Sequence, residues 1–159
     1  DLILISSQKG NSLGSSYISK NKITKNEDII NKYKVIIGKV VPRNGEVGVD
    51  PKIGYRAITT VHIVTPGHVF TETYLLLSVF DTLEESENFA KYMTCKFPRF
   101  LLHETYSSMN ITKSNFRFVP FLDYTKQWTD SMLFDRYNCT DSEKDLITSI
   151  IRPLEYQIH

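Results

Sequence analysis

Acid–base, metal and thiol chemistry in this chain would have to come from four histidines, two cysteines and eighteen carboxylates. His62 and His68 are separated by five residues that include Pro66 and Gly67, so a turn lies between them and they share no helical face. His103 and Glu104 are adjacent near the end of a helical pattern, where a polar helix terminus is a simpler reading than an acid–base pair. Cys95 and Cys139 form no Cys-x-x-Cys pair and have no metal spacing; two structural thiols in a reducing, cytoplasmic setting account for them. Asp50-Pro51-Lys52 is the one pattern with nuclease chemistry in it: in an acidic-x-Lys pair the carboxylate holds magnesium and the lysine assists the attacking water. Pro51 sits badly in an interior strand, and Glu46 in a glycine-rich turn is the nearest second carboxylate. A surface turn with a counter-ion pair is therefore preferred, and a metal-dependent endonuclease stays as the alternative. There is no Gly-x-Gly, no P-loop, no Gly-x-Ser-x-Gly and no Pro-Pro pair, which excludes several nucleotide and acyl-transfer chemistries.

Charge offers a different chemistry. Residues 1–60 hold ten cations against five acids, and the remainder nine against thirteen. That asymmetry is either a basic binding face or a solvated lysine-rich surface. Lys20, Lys22 and Lys25 lie in a Ser/Asn-rich stretch suited to meeting phosphates. Arg43, Asn44, Lys52 and Arg56 border the glycine-rich turn 42–54, where Arg and Asn can read base edges.

The elements that position these residues follow from periodicity. Strands are expected at 2–5, 33–41, 56–64 and 71–80, the last nearly all apolar and so placed centrally, with a final short strand at 116–121. The stretch 6–32 reads as a loop, with Asn26 capping a short helix over 27–32. Thr82 with Glu85 and Thr140 with Glu143 fit capping boxes that open helices, the first kinked or ended by Pro98. Another short helix is expected at 129–137. Strands precede helices without a βαβ rhythm, which predicts an α+β domain: a mixed or antiparallel curved sheet in the N-terminal two-thirds, and packed helices toward the C-terminus. No apolar run is long enough to span a bilayer, and the opening Asp-Leu-Ile-Leu-Ile reads as the start of a piece cut from something longer. Asn-Ile-Thr at 110 and Asn-Cys-Thr at 138 match the glycosylation pattern, which is common by chance.

The segment "FVPFLDYTKQWTD" (118–130) contains the single tryptophan. Phe118, Phe121, Tyr124 and Trp128, spaced by three or four, read as a clasp that packs the last two helices onto the sheet, with Asp123 and Asp130 capping turns or helix starts. The alternative is stacking of Trp128 or Tyr124 on a flipped base. Together with "KYKV" (32–35), "TETYL" (71–75), "KFPRFL" (96–101) and the closing stretch 137–151, this segment resembles the C-terminal part of adenine-specific DNA methyltransferases of bacterial type II restriction–modification systems, including those fused to a nuclease. The resemblance spans roughly residues 30–153. It implies a target-recognition region for double-stranded DNA, itself non-catalytic, beside a catalytic methyltransferase domain of the same polypeptide. S-adenosylmethionine, and magnesium where a nuclease is fused, would belong to that parent protein and not to this fragment. Lys96 and Arg99 fall on the family's Lys-Phe-x-Arg-Phe pattern, as phosphate contacts or as helix-end caps. A protein-interaction module docking on the catalytic domain is the remaining reading, and it would leave an apolar patch exposed.

Overall fold

The computed structural model describes residues 1–7, 13–40, 54–106 and 110–159. The fold is α+β, with two open mixed sheets and helices gathered in the C-terminal half. Strand β1 (Leu2–Ser7) lies between β2 (Leu13–Ile18), antiparallel, and β5 (His68–Phe70), parallel. The second sheet runs β6-β3-β4-β7, from β3 (Tyr33–Gly38), β4 (Val61–Val64), β6 (Tyr74–Phe80) and β7 (Tyr156–Ile158). β3 is antiparallel to β4 and β6, and β7 joins β4 in parallel.

The apolar run of β3 is continuous because both its faces are covered. Val35 and Ile37 enter the main core under the helices, while Ile36 packs with Ile5, Val64 and Tyr74 between the two sheets. The same logic corrects one expectation. β6 is apolar except for Ser78, yet it lies at the sheet's edge among the described residues. Leu75 and Leu77 pack on the helical core and Leu76 on the core between the sheets, so two covered faces made an edge strand look central.

Helix α1 (Leu83–Thr94) packs on β3, β4 and β6, and its start is capped by Thr82 accepting from the Glu85 N–H at 3.2 Å. Helix α2 (Lys96–His103) follows after a break at Cys95, three residues before the proline expected to cause it. Pro98 instead occupies the first turn of α2, where its missing N–H leaves no orphan. The Asp130 carboxylate takes the other two donors of that turn, from Lys96 N at 2.9 Å and Phe97 N at 2.8 Å. Helix α3 (Asp130–Arg136) and helix α4 (Asp141–Ile150) begin at Thr129 and Thr140, the latter with the reciprocal Glu143 bond of a full capping box.

Several segments differ from expectation. The strand expected at 56–64 forms only over Val61–Val64, and Ala57 has a positive φ that no strand residue adopts. The loop 6–32 contains β2, whose Leu13 packs between the sheets while its other side chains are mostly exposed and polar. The Asn26 side chain does not cap a helix: its φ is 56°, and only a 3-10 turn, Glu27–Ile29, follows. Residues 116–121 are not a strand, because a 3-10 helix, Lys113–Phe118, takes their first half. Asn115 holds that turn by accepting from Thr112 N at 2.8 Å and donating to Thr105 O at 3.2 Å.

Candidate nucleic-acid interface

Of the residues expected at DNA, Arg43, Asn44 and Lys52 lie outside the described residues, as do Asp50 and Glu46 of the nuclease pattern. Lys20 and Lys22 sit on a 3-10 turn, Lys20–Lys22, and Lys25 follows on the same connection; all three are exposed. No ion pair ties them to a carboxylate among the described residues. Lys25 and Lys39 border a cleft of about 330 Å³ between this connection and β6. Beneath them Lys34 is buried, its ammonium donating to Ile29 O, Ile30 O and Thr65 O at 3.0–3.3 Å. Burial lowers its pKa to about 8. Lys34 thus fixes the base of the lysine-bearing connection and is not part of its surface.

Lys96 and Arg99 take the helix-end role. Lys96 Nζ donates to Thr148 O, in the last turn of α4, at 2.8 Å. Arg99 is fully buried and donates to Thr94 O (2.8 Å), Cys95 O (3.1 Å) and Arg56 O (3.0 Å). It closes the C-terminal end of α1 and anchors the backbone of Arg56 in the same grip.

Arg56 lies on a crossing of two chain segments. Tyr55 N donates to Ile150 O at 2.6 Å and Arg152 N donates to Tyr55 O at 3.0 Å, forming a parallel bridge. The approach requires Gly54: its φ is +77°, and a Cβ there would lie 2.9 Å from Ile150 O. Ala57 also adopts a positive φ, 67°, which costs a non-glycine residue about 1 kcal/mol. The Tyr106 hydroxyl donates to Ala57 O and helps hold it there. Arg56 Nη2 donates to Thr60 Oγ1 at 3.1 Å. Arg56, Thr60 and Arg152 then line an open polar cleft of about 590 Å³, with Glu155 and Gln157 on β7's side. Arg152 carries no sequence signal beyond its place before a helix-stopping proline, and so reading the sequence missed it.

The aromatic segment divides. Tyr124 and Trp128 are buried, whereas Phe118 and Phe121 are 61% and 78% exposed, so the four-ring clasp is a two-ring clasp. Tyr124 packs edge-on against Phe80 and Phe89, and Asn88 Nδ2 binds its carbonyl at 3.0 Å, joining the segment to α1 and β6. Trp128 donates to Asp123 O at 2.8 Å, and Lys126 and Arg136 lie over its ring at 4.9 and 5.4 Å. Asp123 caps a turn through Thr125, and Asp130 caps α2. Phe121 borders a largely apolar cleft of about 480 Å³ that includes Leu75, Leu77, Phe89, Met93, Val119 and Tyr124.

Two histidines have partners within the fold. His62 Nδ1 lies 3.0 Å from His159 Nε2, and burial, then the His159 charge, lowers the His62 pKa to about 4. His68 meets Thr65 Oγ1 at 3.1 Å. Burial pushes the Cys95 thiol up to about 12, out of the range of a nucleophile. Among the described residues no group of three or more His, Cys, Asp or Glu could hold a metal, and no helix is long and apolar enough to cross a membrane. No protein-family model, curated protein or solved structure matches the chain.

Proposed function

We propose that this chain is a DNA target-recognition domain of a restriction–modification adenine methyltransferase, docking on the duplex and leaving methyl transfer, with S-adenosylmethionine, to a catalytic domain of the same polypeptide. The observation that carries this reading is the exposed connection bearing Lys20, Lys22 and Lys25, whose base is fixed by the buried Lys34. Cations held on an ordered turn and free of carboxylate partners among the described residues suit phosphate contact, which gives affinity and register. The combined Lys20→Ala, Lys22→Ala and Lys25→Ala variant should weaken binding to a mixed-sequence duplex about tenfold or more in fluorescence anisotropy while leaving the unfolding midpoint in place. Unchanged binding would remove this turn from the interface.

A second reading has its own observation. Phe118 and Phe121 stand exposed, and Phe121 borders the apolar cleft, as a surface that docks on a neighbouring catalytic domain would. The two readings describe different faces of one recognition domain. Tighter association of the catalytic domain with the native chain than with a Phe118→Ser, Phe121→Ser variant would support the second.

A further inference from the structure

We propose that the edge of β6 takes an extended strand of alternating apolar and acidic residues from a partner protein, which continues the sheet beyond β6. The observation is how β6 meets two clefts at once. Leu75 and Leu77 turn toward the helical core and Leu76 toward the core between the sheets. The apolar cleft is nevertheless lined by Leu75, Leu76, Leu77 and Ser78 in succession, and the lysine-bordered cleft by Tyr74, Leu75 and Leu76. Side chains alternate along a strand, so consecutive residues line one cleft only where it reaches their edge. The two clefts therefore flank the backbone of β6 on the side away from β3, its only strand neighbour among the described residues. An edge of this kind presents N–H and C=O groups that an added strand satisfies, with alternate side chains of that strand falling into the two clefts.

The clefts differ, and the difference fixes the chemistry of the occupant. On the helical side the walls are Phe89 and Met93 of α1 and, beyond them, Phe116, Val119 and Phe121, which suit apolar side chains. On the other side Lys25 and Lys39 stand exposed, with Glu72 also among the lining residues. Neither lysine is in an ion pair among the described residues, so carboxylates complement this side. A strand that alternates apolar and acidic residues suits both clefts. A second copy of β6 carries no charged residue and would bring nothing to the lysines. The proposal deepens the reading in which the Phe121 surface docks on a neighbouring catalytic domain, and rests on it for the source of the strand but not for the geometry.

The probe is a fluorescent seven-residue peptide of alternating valine and glutamate, as long as β6, titrated against the intact chain in fluorescence anisotropy. Two further versions carry backbone N-methyl groups, one on the valines and the other on the glutamates. Successive N–H groups of a strand point to opposite sides, so one version should lose binding and the other keep it. Amide exchange at alternate positions within 75–79 should slow several-fold when the parent peptide binds. Lys39→Glu, which leaves Lys20, Lys22 and Lys25 in place, should weaken that peptide several-fold. No binding of the parent peptide, any other pattern between the methylated versions, or unchanged exchange in β6 would overturn the proposal. Slowed exchange in β6 that grows with protein concentration and needs no peptide would give the edge to a second copy, and would overturn it too. Catalytic-domain association that depends on Phe118 and Phe121 while β6 exchange stays unchanged would leave the docking reading standing and overturn this one. Peptide binding that protects β6, without any catalytic-domain association, would uphold the edge and overturn the docking reading.

Discussion

His62 shows how one buried side chain sets a response of the whole chain. It stays neutral in the fold until about pH 4, whereas an unfolded histidine protonates near pH 6.5. Between those values the unfolded state binds the extra proton, so stability rises with pH across this window and is lost as pH falls through it. The full difference is on the order of 3 kcal/mol. Urea midpoints should therefore drop between pH 6.5 and 4.5, and His62→Gln should flatten that decline. Arg99 makes a different claim at the same scale. Because three backbone carbonyls depend on it, Arg99→Met should cost about 3 kcal/mol although it keeps much of the buried volume. Replacing exposed Lys22 should change stability by less than about 0.5 kcal/mol. A small loss for Arg99→Met would mean that water replaces its donors.

Elements were legible where local chemistry decides them. The Thr140–Glu143 box opens α4 as its spacing predicts, and Thr140→Ala should cost about 1 kcal/mol in chemical denaturation. The Thr82 cap and the strand at Tyr33–Gly38 are of the same kind. What stayed hidden were the long-range decisions. Nothing in the sequence near Asp130 announces that its carboxylate will cap a helix beginning at Lys96, or that Arg152 will align beside Arg56. β5 and β7 are three residues each, too short for periodicity to register, and both are fixed by parallel pairing with distant strands. Proline is the visible punctuation, so the sequence points to Pro98 as the break, while the aspartate that caps the helix beginning at Lys96 lies in another segment. Gly54 belongs to this scale as well. Its positive φ and its closeness to Ile150 O predict that Gly54→Ala destabilises the crossing by more than about 1 kcal/mol. Amide exchange at Tyr55 and Arg152 should then accelerate; unchanged protection there would show that the crossing does not depend on this glycine.

For the molecule as a whole, two sheets and a helical layer hold three surfaces in fixed positions: the lysine-bearing connection, the arginine cleft and the aromatic-flanked groove. Formal charge is only +1, so attraction to a polyanion would have to come from where the cations are placed, not from their sum. Salt dependence tests that directly. Fluorescence anisotropy of the chain with a mixed-sequence duplex, without magnesium and across a salt series, gives the slope of log affinity against log salt. The DNA-recognition account predicts a linear fall with a slope near −3 or steeper, corresponding to at least three phosphates neutralised by placed cations. Absence of binding at low salt, or binding indifferent to salt, would contradict it.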